Sequence, residues 1–272
     1  MQSRRAVVWE AILPVIGFLI GLVSVMVGLG GGFLVVPLLT LVYAFSPANA
    51  VGTSLTTILM TTAVASAYFS RQKQTYYKMG LILSVAAVPG AILGSFLTTE
   101  VPGQVIGLLV GVFLVFVAWQ MVYRKGTANS CENSEDDSGF SEKELLSKKG
   151  QVLVGIVLCF FAGLIGGLLS IPGVLLVPIM LLVLRMPFKA VAATSVFTMV
   201  FISLAGTAQH VSLGNINVEY ALLIGSGSMF GGLLGAHLCT ITENRTLHWV
   251  LCGLLLFISL QMFLKFGLGF NY

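Results

Sequence analysis

Long apolar runs alternate with short polar breaks along the chain, and this alternation predicts helices that cross a lipid bilayer. Most runs hold about 20 to 25 residues, which at about 1.5 Å per residue matches a hydrocarbon core about 30 Å thick. The pattern therefore predicts an all-α integral membrane protein. The runs cover about residues 11–45, 47–70, 79–98, 102–123, 151–184, 187–211, 220–239 and 246–265.

The first and fifth runs differ from the others because each is about 35 residues long, or about 50 Å as a helix, too long for one simple crossing. Each contains residues that interrupt helices, at Gly28–Gly32 in the first run and at Ser170–Gly173 in the fifth. A glycine costs about 1 kcal/mol inside a helix and a proline about 3 kcal/mol. We therefore expect each of these runs to be a broken, re-entrant segment.

The two halves of the chain are copies of each other. Thr53-Ser54 and Thr194-Ser195 lie 141 positions apart (194 minus 53), and the same shift aligns 32–37 with 173–178. A constant register indicates an internal duplication, as in many secondary transporters. Each repeat would then hold a broken first segment and about three spanning helices.

The segment 124–150 separates the copies, and it is rich in Ser, Glu, Asp and Lys. Such a composition is typical of a solvated loop. We therefore divide the chain into a membrane repeat over 1–123, a polar linker over 124–150 and a second membrane repeat over 151–272.

The basic residues of equivalent loops predict how the repeats are oriented. Loop 71–78 contains three Lys or Arg residues, whereas its counterpart 212–219 contains none; conversely, 44–50 has none while its counterpart has Arg185 and Lys189. Cytoplasmic loops are enriched in Lys and Arg. The pattern favours inverted repeats in the plasma or inner membrane, with the 124–150 loop cytoplasmic. A parallel arrangement of four simple crossings per half stays open as the alternative.

Composition and motifs narrow the function classes. The chain is 57% hydrophobic and 9% charged, where soluble domains carry about a quarter charged residues. Its charges, apart from Glu10, flank the apolar runs, so the net charge of +4 reports topology rather than nucleic-acid binding. No catalytic motif or Cys/His ligand pattern is present, and we expect no enzyme, cofactor or metal site.

The breaks are candidate anion sites, because the half-helix that follows a break points free N–H groups and a positive dipole end at it. Hydroxyl groups near the start of the following helices are further candidates, although such groups often bond to their own helix instead. The residues proposed on these grounds are Gly28, Gly30, Gly31, Gly32, Ser170 and Gly173 at the breaks, and Thr53, Ser54, Thr194 and Ser195 after them.

Gln209 and His210 end the sixth apolar run, and an ionisable residue in a membrane helix is a candidate for substrate or proton contact. The alternative is that His210 lies at the membrane interface. His237 is interpreted as a contact between helices. The pairs Gly90/Gly94 and Gly231/Gly235 have the spacing of helix-packing seams, so we expect alanine at Gly94 to be tolerated far better than leucine at Gly31.

The segment GLVSVMVGLGGGFLVVPLLTLVYAFSPANAVGTSL and its degenerate copy GLIGGLLSIPGVLLVPIMLLVLRMPFKAVAATS, followed by QHVSLGNINVEYALLIGSGSMFGGLLGAHL, resemble the sulfite exporter TauE/SafE family of membrane transporters. The resemblance implies transport of small sulfur-containing anions such as sulfite, sulfonates and sulfoacetate, usually outward. The sequence departs from a symmetric pattern at its second break, LLSIPG, and at Ser70–Lys73, where a histidine matching His210 is missing.

We therefore expect a secondary transporter that exports a small sulfur-containing anion, with the lipid bilayer and a coupling proton or other ion as further partners. Two alternatives stay open. One is an anion channel, and the other is a non-transporting membrane scaffold or sensor that uses the acidic segment 132–144 as its partner site.

Overall fold

The computed structural model describes residues 2–106, 108, 109, 112 and 149–241, and every element in this part of the chain is helical, as predicted. The polar linker up to residue 148, most of the run 102–123 and all of the run 246–265 lie outside the described residues. The helices of the first half are α1 (Gln2–Val27), α2 (Gly32–Pro37), α3 (Pro47–Arg71) and α4 (Tyr77–Glu100). Those of the second half are α5 (Lys149–Leu169), α6 (Pro172–Pro178), α7 (Phe188–Ser212) and α8 (Val218–Ile241).

Five of these helices, α3, α4, α5, α7 and α8, are long and apolar enough to cross a membrane. Large apolar side chains such as Val85, Phe161 and Phe230 are exposed on their outer faces. An apolar surface of this extent is stable only against lipid or another apolar partner. The chain is therefore a multi-pass membrane protein.

The two predicted interruptions are confirmed. In the first half α1 ends at Val27 and α2 begins at Gly32, and the φ angles of Gly28, Gly30 and Gly31 are 76°, 79° and 91°. These angles lie in the left-handed region that glycine adopts without a steric penalty. In the second half the chain turns at Ser170, whose φ is 61°.

Each short half-helix changes its winding at a proline. After Pro37 the helix α2 continues as a π-helical turn over Leu38–Val42, and after Pro178 the helix α6 does the same over Ile179–Val183. Proline has no N–H to donate to the preceding turn, which explains why regular α-helix stops there. The two halves thus repeat the same local distortion.

The first helix of each half packs against the last described helix of the other half. Gly231 and Gly235 of α8 lie against the backbone of Phe18 and Leu22 in α1, so α1 and α8 run parallel. The close approach of these two glycines to the backbone of α1 confirms the predicted glycine seam.

The equivalent seam joins α5 to α4, where Gly90 and Gly94 lie against Phe160 and Leu164, again in parallel. One expectation about this seam is wrong. A Cβ on Gly94 would collide with the carbonyl oxygen of Leu164, so alanine cannot be accommodated there unless the helices move apart.

The halves also meet through α3, which packs against α7 and α8, and through α7, which packs against α4. The loop before α4 lies beside the start of α7, and the loop before α8 lies beside the start of α3. As a result all five described basic side chains are exposed at one end of the bundle, which we call the basic end: Arg71, Lys73, Lys78, Arg185 and Lys189. The exposed Glu100 and Glu219 lie at the other, the acidic end.

Candidate functional site

The two breaks meet inside the bundle. A Cβ on Gly32 would collide with the carbonyl oxygen of Ser170, and one on Gly173 would lie 2.6 Å from the Cα of Leu29. The break residues Leu29–Gly32 and Ser170–Gly173 are all buried. Glycine at positions 32 and 173 therefore allows the backbones of the two halves to touch.

A buried serine from each half lies at the break of the other half. The hydroxyl of Ser195 on α7 donates to the carbonyl oxygen of Gly28 at 3.1 Å, and also to that of Ala192. The hydroxyl of Ser170 donates to that of Ser54 on α3 at 2.9 Å. The structure thus brings the two predicted serines to the two predicted breaks, but each to the break of the opposite repeat.

The neighbouring threonines make a different contact. Thr53 accepts a hydrogen bond from the backbone N–H of Asn217 at 3.0 Å, and Thr194 accepts one from the N–H of Tyr76 at 3.1 Å. Asn217 and Tyr76 directly precede α8 and α4, so each threonine caps a helix of the other half. Uncapped N–H groups at a helix start need such an acceptor. The threonine contacts therefore lie at helix starts rather than at the breaks.

Several backbone N–H groups at the first break have no hydrogen-bond acceptor among the described residues. The N–H groups of Leu34 and Val35 both reach the carbonyl oxygen of Gly31, and no side chain caps α2. Within the described residues, no acceptor receives the N–H groups of Gly30, Gly31 and Gly32. Buried N–H groups without a partner are rare in proteins. At the second break Pro172 offers no N–H, so Gly173 is the first donor of α6.

His210 and Gln209 occupy the last turn of α7, where Gln209 is partly exposed and His210 is fully buried. The imidazole is therefore enclosed by protein rather than exposed on the surface of the bundle. The ring packs against Gly52 and is faced by the Gly167 backbone, yet neither ring nitrogen completes a hydrogen bond. By contrast, the Nδ1 atom of His237 lies 2.8 Å from the hydroxyl oxygen of Tyr68, joining α8 to α3 as predicted.

Two further polar residues of this region were not identified from the sequence. Ser95 and Thr98 of α4 direct their hydroxyls at the last turn of α5: both lie 3.5 Å from the carbonyl oxygen of Gly167, and Thr98 lies 3.3 Å from that of Leu168. The repeat alignment held a signal for them, because the shift of 141 places Ala236 and Cys239 at the equivalent positions. A mismatch between repeats marks a place where the copies have diverged.

A bundle of membrane-crossing helices whose two broken segments meet at its centre is the architecture of a membrane transporter. The family model described as "Sulfite exporter TauE/SafE" matches residues 13–262, and the chain belongs to that family. Its members are described as transporters, so the chain is not an enzyme.

Curated relatives support the same class. The chain is 30% identical to the probable membrane transporter protein YunE of Bacillus subtilis, over 92% of this chain and 96% of that protein. It is 22% identical to the probable membrane transporter protein MJ0441 of Methanocaldococcus jannaschii, over 93% and 95%, and 25% identical to YjnA of Bacillus subtilis, over 90% and 96%. No solved structure matches the chain.

Proposed function

We propose that the protein is a secondary transporter that exports a small sulfur-containing anion of the sulfite, sulfonate or sulfoacetate type. The observation that carries this proposal is the set of buried, unpartnered N–H groups at Gly30–Gly32. An anionic oxygen would supply the missing acceptor, and the positive end of the following half-helix favours negative charge. Ser54 accepts a hydrogen bond from Ser170, so its own hydroxyl proton can be donated to an anion beside the breaks, whereas Ser170 and Ser195 would first have to release their present acceptors. Thr53 and Thr194 are assigned to the framework instead, because they cap the starts of α8 and α4 and do not contact the breaks.

The two repeats, 1–123 and 151–272, are proposed to be inverted. The helix directions support this proposal, because α1 lies parallel to α8 and α5 lies parallel to α4, as the exchanged first and last helices of inverted repeats would. Contacts between the halves are reciprocal: Tyr76 pairs with Thr194 as Asn217 pairs with Thr53. Inverted repeats provide two related conformations in which the same site faces opposite sides.

Sidedness follows from charge. We assign the basic end and the 124–150 linker to the cytoplasm and the acidic end to the outside of the plasma membrane, because cytoplasmic loops collect Lys and Arg. On this assignment α1 and α2 enter and return from outside, and α5 and α6 enter and return from the cytoplasm.

The tight contact between the breaks suggests how the site opens. Since Gly32 and Gly173 touch the opposite break, an anion reaches the N–H groups only when the two hairpins separate. Movement of one hairpin at a time would expose the site first to one side and then to the other, which is the alternating access expected of a carrier.

The experiment is flux through the purified protein in proteoliposomes, with radiolabelled sulfite and an excess of unlabelled sulfite, sulfoacetate, taurine or sulfate as competitors. A carrier gives saturable uptake and counterflow, whereas a channel gives neither, and a scaffold moves no anion. The double variant Ser54→Ala/Ser195→Ala should lower sulfite affinity roughly 5- to 150-fold, since two hydrogen bonds of about 0.5 to 1.5 kcal/mol are lost.

The matched control is Ser226→Ala, an exposed serine of α8 whose hydroxyl bonds within its own helix. It should transport like the unaltered protein. Unchanged affinity in the double variant would place the anion site elsewhere, and absence of flux for every anion would refute the transporter assignment.

A further inference from the structure

A polar cluster surrounds His210 near the acidic end of the bundle, and it differs from the anion site at the breaks. It consists of His210, the hydroxyls of Ser95 and Thr98, and the carbonyl oxygens of Gly167 and Leu168 in the last turn of α5. The imidazole is fully buried with both nitrogens unpaired. A buried polar group without a partner costs about 1 to 3 kcal/mol, so its presence calls for an explanation.

The carbonyl end of α5 favours a positive charge on the ring, whereas burial of the ring opposes one. The final carbonyl groups of a helix carry its negative dipole end, and His⁺ is stabilised there. Ser95 reaches the Gly167 carbonyl oxygen at 3.5 Å, and Thr98 donates most closely to the Gly94 carbonyl oxygen of its own helix at 3.0 Å, so both hydroxyl oxygens keep lone pairs that can accept a hydrogen bond. A neutral ring has one N–H to donate, while a protonated ring has two.

No charged side chain shares this environment among the described residues. The elements around the ring contribute Gly52 from α3, Ser95 and Thr98 from α4, Gly167 from α5 and Asn215 from the following loop. None of these is titratable. The nearby ends of α4 and α8 carry Glu100 and Glu219, and both are exposed to the outside of the bundle.

The other repeat shows that packing does not require these polar groups. The shift of 141 maps His210 onto Phe69, the residue directly before Ser70–Lys73, and it maps Ser95 onto Ala236 and Thr98 onto Cys239. The residues at these and the neighbouring equivalent positions form one buried apolar cluster: Val25, Ala65, Phe69, Ala192, Ala193, Val196, Ala236 and Cys239. The same fold is therefore satisfied by an aromatic ring where His210 stands.

An open cavity of about 490 Å³ lies at this end of the bundle and is lined by Asn49, Gly214 and Asn217 among others. Its wall adjoins Asn215, whose N–H donates to the carbonyl oxygen of His210 at 3.0 Å and whose side-chain amide is buried and unpaired. Water in this cavity would reach the residues on either side of Asn215, which itself contacts the backbone of His210.

We propose that His210 binds a proton in linkage with the transported anion, on the acidic side of the second break. Gly167 lies three positions before Ser170 at the second break, and the second break touches the first, where Gly30–Gly32 offer their N–H groups to the anion, so the positive charge lies close to the anion. Each then raises the affinity of the protein for the other, by a factor that must be equal in both directions. This inference rests on the proposed function.

The test is calorimetric titration of the purified full-length protein with isethionate, a sulfonate that stays ionised at every working pH, and with sulfite. Repeating each titration in two buffers of different ionisation enthalpy gives the protons taken up per anion bound. The unaltered protein should take up between zero and one proton for each isethionate that binds. Its affinity for isethionate should increase roughly 5- to 150-fold as pH falls.

His210→Gln should abolish both the proton uptake and the pH dependence while isethionate still binds. His237→Gln is the matched control and should leave both unchanged. Proton uptake by the unaltered protein tests the proposal without any variant, so the test remains valid if a variant fails to fold. Binding without proton uptake would overturn this inference and leave the transporter assignment standing. Dependence on Na⁺ instead of pH would assign the cluster to a metal cation, and failure of both anions to bind would overturn both proposals.

Discussion

The polar cluster around His210 and the apolar cluster around Phe69 occupy equivalent places in the two repeats, yet they have opposite chemistry. In one, an imidazole and two hydroxyls face the carbonyl end of α5; in the other, Phe69, Ala236 and Cys239 pack near the end of α1. The helices around them are the same in both. The difference therefore concerns what the cluster binds and not how the helices are held.

The comparison teaches which parts of a duplicated transporter must stay alike. The caps of Thr53 and Thr194, the glycine seams and the proline-directed π turns occur twice, because both halves need them to form the bundle. Among the described residues, the polar cluster occurs in one half of the bundle only. A second such cluster would bury another unpaired ring at a cost in stability.

Making the two clusters alike should give the largest effect. Phe69→His would place a polar ring among alanine, valine and cysteine side chains, and it would also lose aromatic packing. We expect destabilisation of about 4 kcal/mol, measured as a lowered melting temperature in detergent. The reciprocal His210→Phe should cost clearly less, since an apolar ring replaces an unpaired polar one. Equal losses in the two variants would contradict the contrast between the clusters.

Gly94→Ala tests a feature that the repeats share, with an expected loss of about 3 kcal/mol. The added Cβ meets the Leu164 carbonyl oxygen, and Gly235→Ala should behave alike because its Cβ meets the backbone of Leu22. Thermal unfolding of both variants measures this. Gly214→Ala is unsuitable as a control because its φ is 69°, whereas Gly150 has no neighbour within 4 Å and Gly150→Ala should be neutral. Melting of Gly94→Ala at the unaltered temperature would show that the seam is loose.

The smallest effect is expected from Thr53→Val and Thr194→Val, each of which removes the acceptor of one backbone N–H. We expect each to cost about 1 to 3 kcal/mol of stability and to leave sulfite affinity unchanged. Thr56→Val is the control, because its hydroxyl donates to the Gly52 carbonyl of its own helix and should be nearly dispensable. Thermal unfolding and competition in the flux assay measure the two quantities. If the variants bound sulfite more weakly but kept normal stability, Thr53 and Thr194 would have to be assigned to the anion site.

Much of the architecture could be predicted from local sequence. Run length and hydropathy predicted the spanning helices, and Gly28–Gly32 and Ser170–Gly173 predicted the breaks, because helix propensity acts over a few residues. Packing glycines were identified from their spacing. The effect of alanine at Gly94 could not be predicted in this way. The spacing shows that the helices approach closely there, but it does not show how near the Leu164 carbonyl oxygen comes.

The sequence by itself determined that the chain crosses a membrane and that the first apolar run of each half is interrupted once, since both depend on composition or on short-range conformational cost. Only the tertiary structure decided which hydroxyl serves which purpose. Thr53 and Ser54 are neighbours of the same chemical kind, yet one caps α8 and the other meets Ser170 at the second break. Both partners come from the opposite half, more than a hundred positions away. Contacts of that kind are set by how whole helices pack, and neighbouring residues in a helix point in different directions.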